Sequence, residues 1–154
     1  MSVFLANEQS TELDPGPLRH LAELVVAEEG YPVSTEVTVL LVDEEEMTGY
    51  NGRFLDRDGP TDVLAFPVED LLPGVVPDHD PNWPPIMLGD VIIAPAYVRR
   101  QAAELDVEFE DEMALMVAHG ILHLLGYDHE SDEPAQRMEL RERELLEKVG
   151  RLRR

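Results

Sequence analysis

The stretch HGILHLLGYDH, residues 119–129, constrains this chain more than any other. It closes the most apolar helical segment, residues 107–126, and carries three of the five histidines. Residues four apart share one face of an α-helix, so His119 and His123 project the same way, one turn apart. Gly126 follows three residues later and can take the left-handed conformation that ends a helix. The chain then turns back and brings His129 to the same point. A lone histidine on an apolar helix is an ordinary packing residue; three at this spacing, with a turn glycine between, are a ligand set. Three neutral nitrogen ligands on a divalent ion leave a fourth position for water, the pattern of a catalytic site rather than a closed structural one. We read His119, His123 and His129 as the ligands of one metal ion per chain.

Around that helix the pattern is mixed. Residues 2–8 read as a first strand and residues 14–30 as a helix, with Pro15 and Pro17 in its first turn and Gly30 closing it. STEVTVLLVD, residues 34–43, begins alternating and ends as a continuous apolar run, as a central strand does. DEEEMTGYNGRFL, residues 43–55, reads as a short helix opened by acidic residues and ending around Asn51-Gly52. A turn and short strand follow over residues 59–67. Residues 68–85 carry five prolines and read as a long surface loop. Residues 86–95 form another strand, and three helices follow over 95–106, 107–126 and 131–150. This order predicts a single α+β domain over residues 1–154, with one small sheet covered by helices.

Composition narrows the function. The 154 residues suffice for one real core. There is no cysteine, which excludes a disulfide scaffold, a thiolate zinc site and cysteine catalysis. No apolar run approaches the roughly 20 residues of a membrane span, and the N-terminal residues lack the pattern of a secretory signal. A cytoplasmic protein is expected. The formal net charge is -21, from 33 Asp and Glu against 12 Lys and Arg. Such a surface repels polyanions at long range, so a nucleic-acid substrate needs a local positive site.

The spacing HxxxHxxGxxH is shared with zinc proteases of the metzincin kind, in which a Glu follows the first His as general base. Here that position is Gly120, which accepts no proton. A metalloprotease or peptidase is therefore one alternative, weakened at its base. HGILHLLGYDH more closely resembles the signature of the YbeY family of bacterial endoribonucleases. NGRFLDRDGPTDVLAFP, residues 51–67, resembles that family's Asn-containing helix end and PTDVLSFP segment, and LGDVIIAP, residues 88–95, resembles its LGDIVI strand. The likeness runs from about residue 36 to 149.

The resemblance implies a zinc-dependent endoribonuclease specific for single strands. It acts in ribosomal RNA maturation, at the 3′ end of 16S rRNA, and in ribosome quality control. It implies a single small mixed β-sheet packed by helices with a zincin-like metal-site helix, zinc on His119, His123 and His129, Thr61 and Asp62 beside the cleft, and the Asp90 strand next to it. Single-stranded or ribosomal RNA and the small ribosomal subunit are the implied partners, with neither DNA nor a membrane expected. One departure matters: the family's arginine five residues before the Pro of PTDVL is Leu55 here, flanked by Arg53 and Arg57. Ala65 also stands for the usual Ser. The missing arginine keeps a non-catalytic ribosome-assembly factor as a further alternative.

Asp62 and Asp128 are the candidate proton carriers. Each has a plainer role as a turn cap or, for Asp128, as support for a histidine ring. His20 reads as solvated, and His79 and Trp83 as parts of a wet loop. Arg137 and Arg141, with Glu133, have the spacing of a salt-bridged solvent face. Residues 151–154, RLRR, read as a frayed tail within reach of RNA.

Overall fold

Alternating and continuous apolar runs condense into a four-stranded sheet, described by a computed structural model for residues 2–154. The elements are β1 (Val3–Glu8), α1 (Pro15–Glu28), β2 (Glu36–Val42), α2 (Glu44–Leu55), β3 (Val63–Pro67), β4 (Met87–Ile93), α3 (Pro95–Leu105), α4 (Phe109–Leu124) and α5 (Asp132–Lys148). The sheet order is β1-β2-β4-β3; β1, β2 and β4 are parallel, and β3 is an antiparallel edge strand. The mixed sheet and α+β class are those expected, and β2 lies between two neighbours, as a central strand should.

Helices α1 and α4 lie together over one face of the sheet, and their apolar residues join those of the strands in the main core. The opposite face carries a smaller core of Val42, Met47, Leu64, Ile92 and Ala94, into which α2 sends Met47. Period-2 alternation divides β3 between the two: Val63 and Ala65 pack on the main core, Leu64 and Phe66 on the smaller one. Eleven of the sixteen α4 residues are buried, so this helix is walled in on nearly every side. It touches α1, α3, α5, β3 and β4.

The termini of the helices follow from local chemistry. Asp14 accepts the Gly16 N–H with Pro15 in the first position of α1, and Asp43 accepts the Glu46 N–H at the start of α2. One boundary differs from expectation. Helix α2 does not stop at Asn51-Gly52 but runs on to Leu55, with Asp56 left-handed at its end. Asn51 is buried, and its side-chain amide donates to the Gly59 carbonyl, so a tertiary bond absorbs the residue that reads locally as a turn former. The proline-rich segment 68–85 is irregular apart from an isolated bridge between Leu72 and Val75.

Candidate metal centre and cleft

Two glycines let the histidine helix sit where it does. A Cβ on Gly120 would stand 2.5 Å from Val91 Cγ1, so the missing side chain is what allows α4 to lie against β4. The residue that would be the proteolytic base thus packs on the sheet. Gly126 has φ +98°, and a Cβ there would lie 2.1 Å from the Leu71 carbonyl oxygen. It ends the helix as expected and lets the returning chain pass under the proline-rich segment.

The three rings gather at the end of α4. Ring centres of His119 and His129 are 5.2 Å apart, and those of His123 and His129 are 6.1 Å apart. Two imidazoles on one tetrahedral ion at about 2.0–2.1 Å have ring centres roughly 5 Å apart. The first pair already has that spacing, and the second is about an ångström wider. Accordingly, among the described residues no three metal-ligating side chains converge fully on one point.

Other contacts fit a ligand set. His119 Nδ1 lies 2.7 Å from Glu142 Oε2, which leaves Nε2 as its free nitrogen. A carboxylate behind a histidine is the usual way to fix the ring of a metal ligand. Glu142 is itself buried, and Arg153 Nε donates to its other oxygen at 2.9 Å. Burial pushes the Glu142 carboxyl up, but the bonds from His119 and Arg153 more than offset this and hold it below the usual carboxylate range. His123 Nδ1 is buried, facing the Tyr127 backbone without a well-formed hydrogen bond. Burial, then the neighbouring His119 and His129, lower the His123 pKa. That ring is thereby kept in the neutral form a metal requires.

The rings open on a cleft of about 550 Å³ between β3 and α4, lined among others by Leu55, Arg57, Thr61, Asp62 and Ala65. Asp62 is firmly held: Oδ1 accepts the Val63 N–H at 2.7 Å, and Oδ2 accepts from Gln101 at 3.1 Å. Asp128 instead caps the turn after α4, accepting the Glu130 N–H, and lines a separate recess with Pro73, Tyr127 and Arg137. The strand carrying Asp90 does adjoin β3, but the Asp90 side chain borders a recess with Tyr50, Phe54 and Phe66. Of the two arginines flanking Leu55, Arg57 lines the cleft. Arg53 lies over the rings of Tyr50 and Phe54 and donates to the Gly49 carbonyl.

Three surface expectations are corrected. Arg141 is not on a solvent face shared with Glu133; it pairs with Glu29, just past the end of α1, at 2.7 Å and donates to the Glu28 carbonyl. Arg137 donates to the Pro73 carbonyl and lies over the Tyr127 ring. Residues 151–154 are no frayed tail: Arg151 pairs with Asp111, Arg153 with Glu142 and Arg154 with Glu112. His79 hydrogen-bonds to the Pro84 carbonyl oxygen and meets Trp83 edge-on, and His20 is exposed. Sequence reasoning missed Glu142 and Glu112, and with them the pairing that ties Arg153 and Arg154 to the site. The glutamates had no local signal, because each looks like one more acidic residue on a charged helix.

This fold recurs. A solution structure of a protein from Thermotoga maritima matches with a TM-score of 0.63 and 29% sequence identity, covering 96% of this chain and 91% of its own. An Endoribonuclease YbeY from Acidothermus cellulolyticus is 41% identical over 147 residues, 95% of this chain and 90% of the relative. Another of that name, from Mycobacterium tuberculosis, is 39% identical over 151 residues, 97% of this chain and 85% of the relative. The class that the fold and its relatives define is an α+β family of endoribonucleases. The family pattern described as Endoribonuclease YbeY matches residues 4–150, so the likeness extends well upstream of residue 36. The chain belongs to the YbeY family.

Proposed function

We propose that this protein is a zinc-dependent endoribonuclease that hydrolyses single-stranded RNA, with ribosomal RNA precursors of the small subunit as its substrates in the cytoplasm. The observation that carries the proposal is the His119–Glu142 pair in the lining of a cleft shared with Arg57, His123 and His129. Membership of a family described as an endoribonuclease supports the RNA substrate. Among the described residues no helix is long and apolar enough to cross a membrane.

His119, His123 and His129 would hold the zinc. His129 is the exposed member and sits on the turn, so narrowing the 6.1 Å spacing to His123 would fall to its side chain. The ion, when bound, supplies a Lewis acid for a phosphoryl oxygen and activates water. Glu142 holds the His119 ring in one orientation by accepting from Nδ1–H. Asp62, fixed by Val63 and Gln101, orients the attacking water and takes its proton. Asp128 acts through the turn it caps, delivering His129 to the set. Arg57 gives the cleft a positive charge against the acidity of the remaining surface.

The peptidase alternative is disfavoured because position 120 faces Val91 and leaves no room for a general base. Incubation with labelled single-stranded RNA and, separately, with casein tests the proposal. RNA cleavage that His123→Ala abolishes, and that zinc restores to the metal-stripped wild type alone, is the expected result. Casein cleavage would replace it with the peptidase reading. Binding to small ribosomal subunits without RNA cleavage would replace it with the assembly-factor reading.

A further inference from the structure

The segment after α5 folds back onto the cleft, and its two final arginines end in different roles. Arg153 is almost fully engaged. Its Nε donates to Glu142 at 2.9 Å, its Nη1 donates to the Arg154 carbonyl at 2.7 Å, and its Nη2 lies 3.6 Å from Glu139. Its side chain is 14% exposed and Glu142 is 1% exposed. Glu142 spends its second oxygen on His119, so Arg153, Glu142 and His119 form one relay.

Arg154 is engaged on one side only. Its Nε donates to both Glu112 oxygens at 2.9 and 3.0 Å, and Glu112 in turn accepts from Gln101, which also holds Asp62. Among the described residues its two terminal nitrogens have no hydrogen-bond partner, its side chain is 37% exposed, and it lines the same cleft as the histidines. A guanidinium pinned at Nε by a buried carboxylate presents its outer N–H groups in a fixed direction, the geometry suited to a phosphate oxygen pair.

We propose that Arg153 and Arg154 work as a divided pair: Arg153 is a positioning residue that holds His119 through Glu142, and Arg154 receives a backbone phosphate of the substrate strand. Arg154 adds its charge to that of Arg57 in the same cleft. The phosphate half rests on the RNA reading above; the positioning half does not.

The variants Arg153→Gln, Arg154→Gln and Arg154→Lys are compared with the full-length wild type. Thermal unfolding establishes that each is folded, and Arg154→Lys, which keeps a cation opposite Glu112, stands in should the glutamine variant fail. Affinity for zinc alone, by competition with a chromophoric chelator, reads Arg153: its glutamine variant binds roughly tenfold more weakly. Steady-state cleavage of a short single-stranded RNA across a KCl series reads Arg154. Arg154→Gln raises KM roughly tenfold, with the loss carried mainly by KM rather than kcat. Its salt slope becomes shallower by about one, and lysine restores part of both. A pair that merely holds the segment down lowers the melting temperature while zinc affinity, KM and salt slope stay at wild-type values, and that result overturns the inference. If the wild type cleaves RNA and both Arg154 variants match it, the inference fails and the function stands. If the wild type cleaves no RNA, the function fails and the phosphate half with it, while the zinc measurement still decides Arg153.

Discussion

Replacing Gly120 by alanine adds one methyl group at the closest approach of α4 to the sheet. In an exposed helix interior this exchange stabilises by about 1 kcal/mol. Here the new Cβ would stand 2.5 Å from Val91 Cγ1, 3.1 Å from Cγ2 and 3.3 Å from Cβ. Val91 is fully buried on an internal strand, and as a β-branched residue it has no free rotamer to retreat to. Overpacking a filled core costs about 1–3 kcal/mol, and three close contacts put this site in the upper half of that range. The net loss is then about 1–2 kcal/mol, or a fall of roughly 2–8 °C in Tm for a chain of this size. Thermal unfolding of metal-free protein measures it. In a Val91→Ala background the space is restored, and the same exchange should become neutral or stabilising, a coupling of about 1 kcal/mol or more. A rise in Tm from Gly120→Ala alone would refute the close-approach argument. It would also remove the physical reason given for the missing base.

Three other outcomes follow from the cleft. Glu142→Gln should weaken zinc binding about 10–100-fold, since the His119 ring loses its anionic partner, and a chelator competition measures it. Leu55→Arg should tighten single-stranded RNA binding and steepen its salt dependence by about one, because residue 55 lines the cleft; a flat response in a salt series would count against RNA entering there. Because His123 in the fold titrates below its ordinary value of 6.5, the unfolded chain binds a proton that the native ring refuses. The stability contributed by this group is therefore complete above about pH 6.5 and declines as pH falls below it, by at most about 1.4 kcal/mol per pH unit. Unfolding midpoints of the metal-free protein, compared with those of His123→Ala, should converge toward low pH.

What could be read without the structure was whatever depended on neighbours in sequence. His119, His123, Gly126 and His129 are tied by one helical turn and one bend, so their meeting follows from local geometry. The strands, the prolines that open the helix over residues 14–30 and the acidic opening of the helix over residues 43–55 are similarly local. Asn51-Gly52 misled because the buried Asn51 amide finds its partner at Gly59, across the turn, and that bond overrides local turn preference. Glu142 and Glu112 were invisible for a related reason. A buried carboxylate in a chain with 33 acidic residues is distinguished only by its tertiary partners, here His119, Gln101 and two arginines. The two glutamates, with Asp111, in turn hold residues 151–154, whose composition alone is that of a solvated tail.

If His119, His123 and His129 share one divalent ion, the metal content of the protein depends on each of them. Native mass spectrometry of zinc-loaded protein, set beside folded His123→Ala, addresses it most directly. One zinc per wild-type chain, and loss of that ion from the variant at equal loading, is the expected result. Wild type without zinc, or a variant that retains it in full, would rule out a shared three-histidine site.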